Sequence, residues 1–125
     1  MTFFFIIILF EVEPVKFSES LKKNKDFHRV YDEGKSYANR ILVMYALNNG
    51  REMNRLGISV SKKVGNSVVR HRLTRLIRES YRLNEESFCC GLDIVVIARV
   101  NGKSAGYHEV ESALMHLAGL HKIVK

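Results

Sequence analysis

The strongest constraint on how this chain can fold is a change of pattern at Gly65-Asn66. There an apolar alternation stops and a run from Ser67 to Leu83, free of glycine and proline, begins. Asn66 is a good N-cap, so the pattern predicts a helix of about four to five turns starting there. At about 100° per residue, Val69, Leu73, Leu76, Ile77, Ser80 and Leu83 fall on one side and His71, Arg75, Arg78 and Arg82 on the other. Arg70 and Arg72 lie at the borders. One face therefore belongs in a core, and the opposite face gathers guanidinium groups with only Glu79 nearby to neutralise them.

Guanidiniums at helical spacing repel one another weakly, so an isolated domain gains nothing from collecting them. A solvated basic face that keeps the protein soluble is the plain alternative. Phosphate binding is favoured by the choice of arginine, by Lys62 and Lys63 at the helix entrance, and by free backbone N–H groups at the Gly65-Asn66 end. The formal charge of +7 implies attraction to nucleic acid or to an anionic membrane surface without choosing between them. A chain of 125 residues with 46% hydrophobic residues and no low-complexity tract suits one domain with one core. Cys89 and Cys90 are the only cysteines. Sequence neighbours rarely bridge without strain, so a reducing cytoplasm is the expected location.

Met1–Phe10 is apolar at nine of ten positions, but it lacks the positive leading region of a signal peptide and is about half the length of a bilayer span. Residues 1–15 are expected to be a hydrophobic extension outside the fold, and 16–125 a single domain. Phe17–Gly34 reads as a short helix, with Ser18 or Asn24 near its start and Gly34 as a left-handed residue past its end. Phe27 and Tyr31 within it suit either packing onto a sheet or an aromatic platform for unpaired bases amid Lys22, Lys23, Lys25 and Arg29. Periodicity leaves both open. Ala38–Leu47 is apolar on both faces and should be a central strand. Asn48-Asn49-Gly50 predicts a turn into a returning strand, in which Leu56, Ile58 and Val60 alternate with Gly57, Ser59 and Ser61, so the two strands are expected to form a hairpin. Glu85–Gly91 is a connection, Leu92–Ala98 a buried strand and Val100–Gly106 a loop. Val110, Leu114, Leu117 and Leu120 mark a last helix. With a further short strand near Ser36, this order implies an α+β sandwich.

The block Arg55–Glu79, RLGISVSKKVGNSVVRHRLTRLIRE, resembles the signature of the protein subunit of bacterial ribonuclease P. In that family a Lys-Lys-hydrophobic-Gly-Asn turn leads into a basic helix with an Arg-Asn-Arg triplet. Leu21–Tyr31 (LKKNKDFHRVY), Gly34–Arg40 (GKSYANR) and Leu92–Arg99 (LDIVVIAR) match further blocks in the family's order, and the resemblance runs from about Phe17 to Leu120. Here the triplet is Arg70-His71-Arg72. His71 can still donate or accept a hydrogen bond, but the amide geometry at that position is lost.

The resemblance implies an α+β fold, a small two-layer α/β sandwich like domain 2 of ribosomal protein S5, with a left-handed crossover through the basic helix. It implies a subunit of a ribonucleoprotein endonuclease that removes the 5′ leader of precursor tRNA. The RNA component would perform the chemistry, with Mg²⁺ held by that RNA and the substrate, and the protein would supply no catalytic residue or metal site. Its partners would be the catalytic RNA and precursor tRNA, with no membrane and no obligate protein partner. Carried over residue by residue, Lys62, Lys63, Asn66, Arg70, His71, Arg72, Arg75 and Arg78 would face the RNA subunit. Phe27, Tyr31, Ser36, Val43 and Tyr45 would line a leader cleft between the first helix and the sheet.

Other chemistry finds less support. The histidines His28, His71, His108, His116 and His121 are scattered rather than paired for general acid-base work. Cys89-Cys90 lacks zinc-ligand spacing, and Gly65 lacks the companions of a phosphate loop. A non-catalytic ribosome-associated or general RNA-binding module is the alternative. A helix-turn-helix DNA binder is disfavoured because the basic helix follows a strand and turn.

Overall fold

The computed structural model describes residues 18–125. The expectation for residues 1–15 lies outside the described residues. In chain order the elements are β1 (Ser18–Ser20), α1 (Asn24–Glu33), β2 (Lys35–Ala38), β3 (Leu42–Asn48), β4 (Asn54–Ser59), α2 (Ser67–Asn84), β5 (Leu92–Ala98) and α3 (Tyr107–His121). The strands form one sheet in the order β1-β4-β5-β3-β2. β4 runs parallel to β1 and β5, and β3 runs antiparallel to β5 and β2. The helix α2 is thus the crossover between two adjacent parallel strands.

The predicted hairpin between β3 and β4 is absent, because β5 lies between them and pairs with both. Every residue of Leu92–Ala98 except Ile97 is buried, and a strand with two buried faces belongs at the centre of a sheet. The turn at Asn48-Asn49-Gly50 is real but wide. Gly50 has φ +71°, and Asn49 is held by Gly91 O at 2.9 Å and by its own side chain to Met53 O and Asp93 rather than by a tight two-residue loop.

The expected first helix is shorter than Phe17–Gly34. Ser18–Ser20 adds an edge strand to β4, and the helix starts at Asn24. Gly34 is extended (φ −82°, ψ 161°) rather than left-handed. A Cβ there would lie 2.6 Å from Val30 O and 2.9 Å from Ala46 O, so glycine is required by crowding where α1 turns into β2. Asparagine suits a left-handed helix end but not a crowded one. Gly34→Asn and Gly34→Ala are therefore both expected to lower stability by about 1–3 kcal/mol, read as a fall in the thermal midpoint.

Two helices, α2 and α3, cover one face of the sheet. Leu42, Met44, Ile94 and Val96 meet Leu73, Ile77, Val110, Leu114 and Leu117 in the main core. The short α1 crosses part of the opposite face, where Leu21, Val30 and Val95 form a smaller cluster with Phe27, Tyr31 and Tyr45. On α2, Leu73, Ile77 and Ser80 are buried as the spacing predicts. Leu83 is not, being 58% exposed, and Tyr81 takes its place at 3%. The Tyr81 hydroxyl shares a hydrogen bond with Ser18 Oγ at 2.6 Å and accepts one from Asn54, so burying the ring leaves no polar group unsatisfied. Among the described residues no helix is long and apolar enough to cross a membrane.

Candidate nucleic-acid interface

The basic helix begins as its sequence predicts. Asn66 Oδ1 accepts a hydrogen bond from Val69 N at 3.0 Å, and buried Val64 pins the preceding turn while Lys62 and Lys63, between Ser61 and Val64, stay exposed. His71, Arg75 and Arg78 are exposed and make no hydrogen bond or ion pair among the described residues. Arg82 is engaged by Glu79 at 2.8 Å.

The two arginines of the triplet are less free. Arg70 donates from Nε to Gly65 O at 3.3 Å. Arg72 donates to Ala105 O at 2.9 Å and Lys103 O at 3.0 Å, which ties α2 to the loop before α3. A guanidinium has five N–H donors, so both keep donors for an outside acceptor.

The sheet register gathers further cations that separation in sequence had hidden. β4 and β5 end where β3 begins, since Ser59 pairs with Ile97 and Leu42 with Ala98. Arg40, Lys62, Lys63, Arg99 and Lys103 all follow or precede strands at this end. At the other end lie Glu52, Glu85 and Glu86 together with the paired Arg55 and Asp93.

The five leader candidates come together on the face that α1 only partly covers. Ser36 pairs with Tyr45, Tyr45 with Val95 and Val95 with Gly57, which makes one row across four strands. The next row is Ala38, Val43, Ile97 and Ser59. Residues paired across strands share a face, so Ser36, Val43 and Tyr45 point the same way. Phe27 packs directly on Gly57, where an added Cβ would come within 2.7 Å of the ring. Tyr31 meets Tyr45 edge-on at 5.0 Å and Phe27 at 6.3 Å. Burial pushes the Tyr31 hydroxyl above its ordinary value, with a further rise from Tyr45, and a hydrogen bond to Ser59 only partly offsets this. The hydroxyl therefore stays protonated and can donate at neutral pH. Phe27, Tyr31, Val43 and Tyr45 are all half-buried, so packing and an exposed aromatic surface coexist.

A charge network that sequence reading missed holds α1 in place. Asp93 is fully buried and takes two hydrogen bonds from Arg55, at 2.8 and 2.7 Å, and one from Asn49 at 3.0 Å. Arg55 also reaches Asp26 of α1 at 3.4 Å. Burial alone would raise the Asp93 carboxyl, but the hydrogen bonds from Arg55 and Asn49 and the guanidinium charge outweigh it and hold the group below its usual range.

The histidines remain apart. His116 contacts Asn39 at 3.2 Å, and His121 Nε2 lies 2.8 Å from Met44 O with its pKa lowered by burial. Among the described residues no group of three or more His, Cys, Asp or Glu is placed to hold a metal ion. A hollow of about 780 Å³ between β1 and the end of α2 includes Arg78 but none of the leader candidates.

The Ribonuclease P family model matches residues 15–122. The Ribonuclease P protein component of Lachnoclostridium phytofermentans is 64% identical over 107 residues, covering 86% of this chain and 92% of that protein. That of Alkaliphilus metalliredigens is 54% identical over 107 residues, covering 86% and 96%. Among solved structures, the RNase P protein of Staphylococcus aureus superposes with a TM-score of 0.79 at 40% identity, covering 85% of this chain and 97% of that one. The RNase P protein from Thermotoga maritima gives 0.74 at 35% identity, covering 80% and 94%.

Proposed function

Since the chain belongs to the ribonuclease P protein family, a subunit of an endoribonuclease that processes tRNA, we propose that α2 binds the catalytic RNA while the α1-side cleft holds the 5′ leader of precursor tRNA. The observation that carries this reading is the separation of two surfaces. Cations free of carboxylate partners among the described residues line α2 on one side of the sheet, and half-buried aromatics gather beside α1 on the other. Basic side chains neutralise phosphates with little sequence reading, and aromatic faces accept unpaired bases of any identity. A leader that varies in sequence requires that tolerance. The location proposed is the cytoplasm, where the free thiols Cys89 and Cys90 would stay reduced.

In this reading Mg²⁺ would be held by the RNA and the substrate. Asp93 of β5 is buried and hydrogen-bonded by Arg55. The ion would supply activated water and charge stabilisation at the scissile phosphate. The protein's own residues would position the RNA strands that carry it.

Mixing the purified protein with a bacterial ribonuclease P RNA and precursor tRNA at low Mg²⁺ is expected to restore cleavage at the leader junction, while the protein alone cuts nothing. Cleavage by the protein alone would return the chemistry to the histidines. Absence of any stimulation would favour a non-catalytic RNA-binding module.

A further inference from the structure

Arg40, Arg99 and Lys103 belong to neither surface described above, yet the register brings them to the end of the sheet from which α2 departs. None has a carboxylate within ion-pair distance among the described residues. The acidic groups on the first turns of α3 are already engaged: Glu109 accepts from Gly106 N at 3.1 Å, and Glu111 accepts from Asn84 and Tyr107.

The backbone bearing these cations is braced from several directions. Arg99 N donates to Ile41 O at 2.8 Å, and its guanidinium donates to Asn39 O at 3.0 Å. Asn39 in turn accepts from Ile41 N and Leu42 N and donates to Ala113 O of α3. Arg72 fastens the Lys103–Ala105 loop to α2. A rigid arrangement of like charges is costly to an isolated fold and favourable only opposite an anion. Beside Arg40 the surface is concave, with a hollow of about 460 Å³ against the His108, Ser112 and His116 edge of α3.

We propose that this end of the sheet, through Arg40, Arg99 and Lys103, is a second contact with the phosphate backbone of the RNA subunit, separate from the exposed face of α2. The inference rests on the function proposed above. Arg72 links the two contacts mechanically, so that a single RNA would engage α2 and the loop as one rigid body.

The Arg40 and Lys103 side chains make no hydrogen bond among the described residues, so Arg40→Ala/Lys103→Ala should fold with an unchanged thermal midpoint. Its affinity for ribonuclease P RNA should be measured over a series of salt concentrations, beside wild type and an Arg75→Ala/Arg78→Ala variant of α2. The expected result is weaker binding and a plot of log affinity against log salt shallower by about 1.4–1.8, from two lost phosphate contacts. The charge-conserving Arg40→Lys/Lys103→Arg variant should keep the wild-type slope. Wild-type affinity and slope in the alanine pair, with binding lost only in the α2 variant, would overturn the second contact. So would a loss of slope in the charge-conserving pair. An RNA subunit that fails to bind wild type would overturn the proposed function itself.

Discussion

Replacing Asp93 by alanine is expected to cost about 3–5 kcal/mol of folding stability, because it leaves the Arg55 guanidinium largely buried without its bidentate partner. The effect should fall towards the lower end, since Asp26 at 3.4 Å still offers Arg55 one carboxylate. Urea unfolding of the full chain measures it, and a loss below about 1 kcal/mol would show that the pair behaves as a surface ion pair. The same residue gives the wild type a pH signature. Asp93 is held below its unfolded value in the folded state, so its contribution is fully present above the unfolded pKa and is lost as pH falls through the folded one. Stability should therefore drop on acidification below about pH 4, and Asp93→Asn should flatten that part of the profile. Through Asp26 the network also anchors α1, so a weakened Asp93 site should loosen the aromatic cleft before it disturbs α2.

Phe27→Ala should weaken precursor tRNA binding to the reconstituted holoenzyme by about 1–3 kcal/mol, or roughly 5-fold to 150-fold, while leaving mature tRNA nearly unaffected. The ring lies against Gly57, in the row that also carries Tyr45 and Ser36, so its removal opens the end of the platform without cutting into the main core. Equal losses for the two substrates would count against a leader-specific role and would point to a general disturbance of α1. Tyr31→Phe separates the two contributions of the neighbouring residue. It retains the stacking face and removes only the hydroxyl, so a smaller loss is expected than for Phe27→Ala.

How much of this was legible in the sequence depended on how local the cause was. The Asn66 cap and the burial of Leu73 and Ile77 follow from residues within one or two turns, and they were readable. The extended Gly34 was not, because the atoms that crowd it include Ala46 O from β3. The hairpin was misread for a related reason. The turn after β3 carries hairpin residues, and nothing nearby announces that Leu92–Ala98 will take the place between the two strands. Three residues, Ser18–Ser20, show no strand pattern of their own and are extended because β4 offers them an edge. Tyr81 displaces Leu83 from the core because its hydroxyl finds Ser18 and Asn54, which are distant in sequence. The cleft candidates came from the family resemblance, whereas the face shared by Ser36, Val43 and Tyr45 follows only from the register. Arg40, Arg99 and Lys103 escaped notice because they belong to two connections far apart in sequence, β2–β3 and β5–α3.

The central position of β5 also sets when the molecule can fold during synthesis. The chain emerges from the ribosome at about 5–20 residues per second, and β5 is the last strand to appear. Before Ala98 is available, β2 and β3 can pair as a hairpin and β1 can lie beside β4, but these two halves have no strand to join them. The apolar face of α2 likewise waits for its floor of Ile94 and Val96. A nascent chain stopped between the end of α2 and the start of β5 therefore carries an exposed basic helix without a complete sheet to hold it, and assembly into a defined RNA-binding shape is a late, single event.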